Sequence, residues 1–344
     1  LLILKVLGAT VLLLAVGFAV YIRFSVPALQ KDAEAAIAAV MAAPVPDPVR
    51  GETGFARSDG WSIWYEKITP NQPPRGAVLL IMGIADDALG WPKSFIDALV
   101  RAGYEVVRFD NRQTGLSDWT PPRAEGAAYA LSHMADDARA VLDALDIDKA
   151  HIVGISMGGM IAQEFAAAHP QRTASLVPIM SSGHIEDAAL PPVPRSTTRA
   201  LIRATIKYGL WRTEINKVRL QLAYKTILMG DARYPLNVRE VAETFLYNIR
   251  HRRGYNLRAI SPHQAAVGKS GSRYESLAAL EMPSLVVHGV DDPIVPLDHG
   301  RKLAASIPGA RSLWVEGMGH NLPDHLVPGI VSALVSLFEA SGEN

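Results

Sequence analysis

Cysteine is missing from all 344 residues, which removes disulfides, thiolate nucleophiles and any metal site built on sulfur. Such a chain fits an exported protein, and it equally fits many cytosolic ones. Net charge is missing as well, with 34 Lys and Arg against 34 Asp and Glu. A nucleic-acid binder should carry a basic surplus, so no such partner is implied. There is no internal repeat and no low-complexity tract. A near-match to a phosphate loop, Gly268-Lys269-Ser270, fails because position 263 is His and not Gly. What the chain does have is apolar bulk. Hydrophobic residues make up 49%, enough at this length for one large core or two smaller ones.

That apolar bulk begins early. Residues 6–22 form an uncharged run between Lys5 and Arg23, long enough to cross a bilayer. A cleaved signal peptide would have a shorter apolar core and a small-x-small site soon after it. The expectation is therefore a single-pass N-terminal transmembrane helix over 1–25, with the body outside the cytoplasm. A helical, Pro-rich linker follows over 26–50, a short helix within 27–43 and then Pro44, Pro46 and Pro48. From Gly51 the pattern changes. Gly54–Ser58 and Trp61–Ile68 read as a hairpin around Asp59-Gly60, and Ala77–Ile81 as a buried strand. Helices and strands then alternate: helix 92–102, strand 105–110, helix 135–145, strand 151–155, helix 157–169 and strand 175–180. Such repeated units predict an α/β fold with a mainly parallel sheet flanked by helices.

Over 182–280 the alternation stops and helical spacing takes over, as in Ile202, Ile206 and Leu210, or Trp211, Ile215, Val218 and Leu222. This stretch reads as an inserted helical cap, dividing a core of 51–181 and 281–344. It is basic, with 16 Lys and Arg against 7 Asp and Glu. Arg250, Arg252, Arg253 and their neighbours belong either on a solvated surface or against anionic lipid headgroups beside a membrane anchor. The sheet resumes at 284–289, followed by helix 297–306, strand 311–315 and a last helix near 327–340.

Chemistry concentrates at one corner. Residues 150–155 form a β-branched, apolar strand, and residues after Met157 form an Ala-rich helix ended by Pro170. Ser156 lies between them in Gly154-x-Ser156-x-Gly158. A nucleophile elbow needs this pattern, because the serine is strained and its flanking glycines let strand and helix approach. A serine hydroxyl needs a base, and the base needs an orienting acid. In chain order after Ser156, a carboxylate should follow one strand and an imidazole the next. Asp292 follows strand 284–289 and His320 follows strand 311–315, both on the rim where open α/β sheets build sites. Asp291 remains the alternative acid, more simply read as a turn cap. His151, His288 and His325 lie in or beside regular elements and read as packing or surface. The oxyanion donors expected are the N–H groups of Met157 and Ile84. Gly83 lets its loop turn near the serine, Asp86 or Asp87 caps the next turn, and Met82, Gly83 and Trp91 stand at the mouth to meet substrate.

Gly154-Ile155-Ser156-Met157-Gly158-Gly159, Asp291-Asp292-Pro293-Ile294-Val295-Pro296 and Gly317-Met318-Gly319-His320 together resemble the α/β-hydrolase superfamily over about residues 51–340. Met82-Gly83-Ile84, Ala88-Leu89-Gly90-Trp91-Pro92 and Phe109-Asp110-Asn111-Arg112-Gln113-Thr114-Gly115 are most similar to the aclacinomycin methylesterase-like branch. The resemblance implies a catalytic Ser156, His320 and Asp292, with no metal and no organic cofactor. It implies an esterase acting through an acyl-enzyme, and the apolar mouth suggests a small lipophilic ester. A lactonase, thioesterase, C–C hydrolase or acyltransferase would use the same three residues. A non-catalytic binding protein on this fold would be marked by loss of one of them.

Overall fold

A computed structural model describes residues 26, 29, 31–120, 129–209, 213–230 and 233–342. The apolar run at 6–22 lies outside the described residues, as do Leu210 and Trp211 of the cap's helical spacing. Among the described residues no helix is long and apolar enough to cross a membrane.

Eight strands form one sheet in the order β1-β2-β4-β3-β5-β6-β7-β8. They are β1 Glu52–Ser58, β2 Trp61–Ile68, β3 Ala77–Ile81, β4 Glu105–Phe109, β5 Ala150–Ile155, β6 Thr173–Ile179, β7 Leu285–Gly289 and β8 Arg311–Val315. β1 pairs with β2 and β2 with β4 in antiparallel fashion; from β4 to β8 every pairing is parallel. The hairpin turns on Asp59 (φ 45°) and Gly60 (φ 82°). A two-residue loop with both residues left-handed matches the twist of its strands, which is why Asp-Gly marks it.

Helices α2 Lys93–Arg101 and α11 Val327–Ser341 cover one face of the sheet, and α3 Leu131–Ala144, α4 Met157–Ala168 and α10 Leu297–Ser306 cover the other. Period-two alternation divides each central strand between the two cores. Val78 and Leu80 of β3 join Phe95, Leu99 and Leu334 on one side, while Leu79 and Ile81 join Val141, Ile161 and Phe165 on the other. The parallel strands are buried on both faces, so they read as unbroken apolar runs.

Between β6 and β7 lie α5 Arg195–Gly209, α6 Glu214–Leu228, α7 Val238–His251, α8 Ile260–Ser270 and the short α9 Tyr274–Leu277. The helix expected within 27–43 is α1, Ala33–Ala42. It packs Ile37 and Val40 against Val218, Leu222, Ala242 and Leu246 of α6 and α7. One expectation is corrected here. Arg252 cannot meet lipid, because it is 1% exposed, ion-paired with Asp110 and stacked 3.9 Å from the Trp64 ring centroid. Arg250 is bound to Glu214 at 2.9 Å, and the Arg253 guanidinium lies over Trp119 at 5.8 Å.

Candidate active site

Ser156 sits where β5 hands over to α4, with φ 55° and ψ −119°. A β-carbon on Gly154 would lie 2.1 Å from the Gly158 carbonyl oxygen, and one on Gly158 2.1 Å from that of Ile81. Both positions therefore exclude a side chain, since real contacts of this kind do not fall below about 3 Å. Strain of this sort persists only where the surroundings hold it. Here the Ser156 N–H donates to the Ile179 carbonyl at 2.9 Å, and Ser181 Oγ donates to the Ser156 carbonyl at 2.8 Å.

Asp292 opens the turn after β7. Its Oδ1 accepts from the N–H groups of Ile294 and Val295, both at 2.8 Å, and its Oδ2 meets His320 Nδ1 at 2.7 Å. Burial pushes the Asp292 carboxyl up, but the His320 charge and hydrogen bond outweigh it and hold the group below its ordinary value. A second imidazole stands behind the acid: His288 Nε2 lies 3.6 Å from Asp292 Oδ2 and donates to the Val295 carbonyl at 2.8 Å. Asp291 turns away from His320, accepting from the Gly317 N–H at 3.0 Å.

The loop after β8 is braced by the cap. His320 N–H donates to the Leu228 carbonyl at 2.7 Å, and a β-carbon on Gly319 would fall 2.4 Å from that same oxygen. Ser156 and His320 both line one cavity of about 1120 Å³ between core and cap. Among the described residues no hydrogen bond joins them.

Ile84 and Met157 line the same cavity, and neither N–H has a partner among the described residues. The loop that carries Ile84 is pinned at several points. Asn111 Nδ2 donates to the Met82 carbonyl at 2.9 Å, Asp87 caps the Leu89 N–H at 2.9 Å, and the Ala85 N–H (φ 54°) donates to His263 Nδ1 at 3.0 Å. His263 Nε2 must then carry the proton, donated to the Arg112 carbonyl at 2.9 Å. That neutral ring agrees with burial, which lowers His263 to about 4. Gly83 comes close to the serine: its β-carbon would sit 3.3 Å from Ser156 Cβ. Met82 and Trp91 line the cavity, 4% and 2% exposed.

Asp86 leaves the capping to Asp87 and instead meets Lys225 of α6 at 3.2 Å; burial raises its carboxyl while the Lys225 charge lowers it. Lys225, Tyr224 and Tyr255 also face the cavity from the cap. Neither their place there nor the place of His263 shows in local sequence, because each meets its core partner only through tertiary folding. Among the described residues no three His, Asp or Glu side chains gather as metal ligands would.

A family model described as the alpha/beta hydrolase fold matches residues 76–324. Rhodomycin D methylesterase of Streptomyces peucetius is 31% identical over 288 residues, which cover 79% of this chain and 93% of that protein. A 2-hydroxy-6-oxononadienedioate/2-hydroxy-6-oxononatrienedioate hydrolase of Cupriavidus pinatubonensis is 32% identical over 250 residues, covering 71% and 80%. Among solved structures, an esterase from Exiguobacterium antarcticum matches with TM-score 0.65 at 19% identity, covering 84% of this chain and 100% of that one. By fold, by elbow and by these relatives, the chain belongs to the α/β-hydrolase family, in the branch that holds the methylesterases.

Proposed function

We propose that this chain is a serine hydrolase that cleaves a carboxylic ester of a lipophilic substrate through an acyl-enzyme on Ser156. His320 takes the serine proton as Oγ attacks the carbonyl, then gives it to the departing alcohol. Asp292 holds the ring with its other nitrogen toward the serine and stabilises the imidazolium. The N–H groups of Ile84 and Met157 receive the oxyanion. Water then repeats the attack and frees the acid. The observation that carries this reading is the 2.7 Å pair of Asp292 and His320 set on a cavity whose wall also holds the strained Ser156. The reading also draws on the methylesterase relatives. We place the body beside a membrane, tethered by the apolar run at 6–22.

The test is labelling with a fluorophosphonate. Native protein should take up the label and Ser156→Ala should not; equal labelling of both would refute the assignment. C–C bond hydrolysis is the second reading, favoured by relatives 30–32% identical that are named as hydrolases of 2-hydroxy-6-oxo dienedioates and trienedioates. A panel of esters and of vinylogous 1,5-diketones separates the two readings by product.

A further inference from the structure

One helix of the cap carries a run of basic residues whose first two, Arg195 and Arg199, are exposed while Arg203 and Lys207 are half-buried. α5 contains no acidic residue, and Arg195, Arg199, Arg203 and Lys207 follow one another every four positions. At about 100° per residue, these four together with Ile202 and Ile206 fall within an arc of about 140°. The opposite side is the packed one. Thr197 and Ala204 are buried there, with Ala204 against Leu220 and Ala223 of α6.

Ile202 is 54% exposed, and it also lines the rim of the cavity that holds Ser156. A large β-branched side chain at a cavity mouth, flanked by arginines, is what an interfacial helix shows. Helix stability does not explain the arginines. Arg195 opens α5, where the helix dipole disfavours positive charge, and Arg199 follows one turn on. Both are exposed, and among the described residues neither is paired with an acid.

The start of the described chain supplies an independent observation. Val26, close behind the apolar run at 6–22, is buried against Ala204, Leu220 and Ala223. The helix that carries the basic arginines is thus also one that seats the chain just behind the apolar run, through its packed side.

From these observations we infer that the outer face of α5 docks on an anionic phospholipid surface. Ile202 enters the acyl region, and Arg195 and Arg199 meet phosphates. The cavity rim then opens toward the bilayer, and a lipophilic substrate passes from lipid to Ser156 without crossing water. The last point rests on the proposed hydrolysis; the docking does not.

The experiment uses the full chain bearing Ile202→Trp, bound to vesicles of phosphatidylcholine with or without phosphatidylglycerol, each with brominated acyl chains. The introduced indole should be quenched in the anionic vesicles. Quenching should fall in about 0.5 M salt, where charge is screened within a few ångströms, and in the Arg195→Glu/Arg199→Glu background. That double reversal suits the helix dipole and should leave turnover of a short water-soluble ester unchanged. Turnover of a long-chain ester dissolved in anionic vesicles should drop about tenfold. An indole that stays unquenched on vesicle-bound protein overturns the docking, as does quenching that ignores lipid charge and salt. So does an indole shielded instead by self-association. If the wild-type chain hydrolyses neither ester, the proposed function fails while the quenching still decides the docking.

Discussion

Two of the buried histidines outside the proposed triad contribute strongly to how the fold answers to acid. His151 is 6% exposed, stacks on Phe338 at 3.9 Å and shares a hydrogen bond with Ser175; His263 is fully buried between Ala85 and Arg112. Burial lowers both to about 4, with a nearby cation, Lys149 for His151 and Arg112 for His263, acting in the same direction. Unfolding returns them to about 6.5. Above that pH both states are neutral and neither histidine affects the balance. Between about 6.5 and 4 the unfolded chain takes up protons that the folded chain refuses, so stability falls as pH falls. The loss is on the order of 2–3 kcal/mol per ring at pH 4. Asp292 acts in a separate window, because its folded carboxyl lies below its ordinary value; its contribution is intact above about pH 4 and fades beneath it. Urea midpoints measured from pH 7.5 to 4.5 should therefore decline for the native chain and decline less for the double variant His151→Asn/His263→Asn. Equal slopes would show that neither ring is held neutral.

At the scale of elements, the crossing of β5, α4 and β3 leaves no room for side chains. Gly158→Ala would drive its methyl into the Ile81 carbonyl at 2.1 Å, and backbone cannot step aside as a flexible side chain can. Loss of about 2–3 kcal/mol is expected, with the folding midpoint following. Gly329 on α11 is exposed and has nothing within 4 Å of its added carbon, so Gly329→Ala should instead stabilise by up to about 1 kcal/mol. Thermal melts of the two variants check both signs. These same local pressures made much of the fold legible. β3, β8 and α10 are bounded in the structure where the sequence bounds them, because apolar runs between glycines, prolines and turns leave little choice. The Gly-x-Ser-x-Gly elbow and the positions of Asp292 and His320 on successive strand ends were equally readable. The cap was readable only as helix. Arg252 looked solvated because a charged residue at a helix end usually is, and its partner Asp110 lies far away in sequence. In sequence His263 stands out only as the residue that spoils a phosphate loop, although it grips the loop that carries Ile84.

Across the whole molecule, cap and core are held together by buried charge as well as by apolar contact. Arg252 at the end of α7 bonds Asp110, which also accepts the N–H groups of Ala88 at 3.0 Å and Leu116 at 2.7 Å. Asn248 of the same helix bonds Asp87, the residue that caps the turn beside the loop that carries Ile84. Burial pushes Asp110 up to about 6, while the Arg252 charge draws it down. Replacing Arg252 with Met keeps most of the packing over Trp64 and removes that charge, so Asp110 must either stay ionised without its partner or take a proton. Breaking one side of a buried pair of this kind costs about 3–5 kcal/mol. The carboxyl of the variant protonates at a higher pH than that of the native chain, so the penalty grows as pH rises and shrinks toward pH 5, where the acid is neutral in the variant. Denaturation of Arg252→Met and native protein at pH 5, 7 and 8.5 should show this widening gap. The ester turnover of the variant should fall with it, because the same arginine anchors the helix whose Asn248 holds Asp87. A gap independent of pH would mean that Arg252 serves the fold through packing alone, and that the cap is fastened elsewhere.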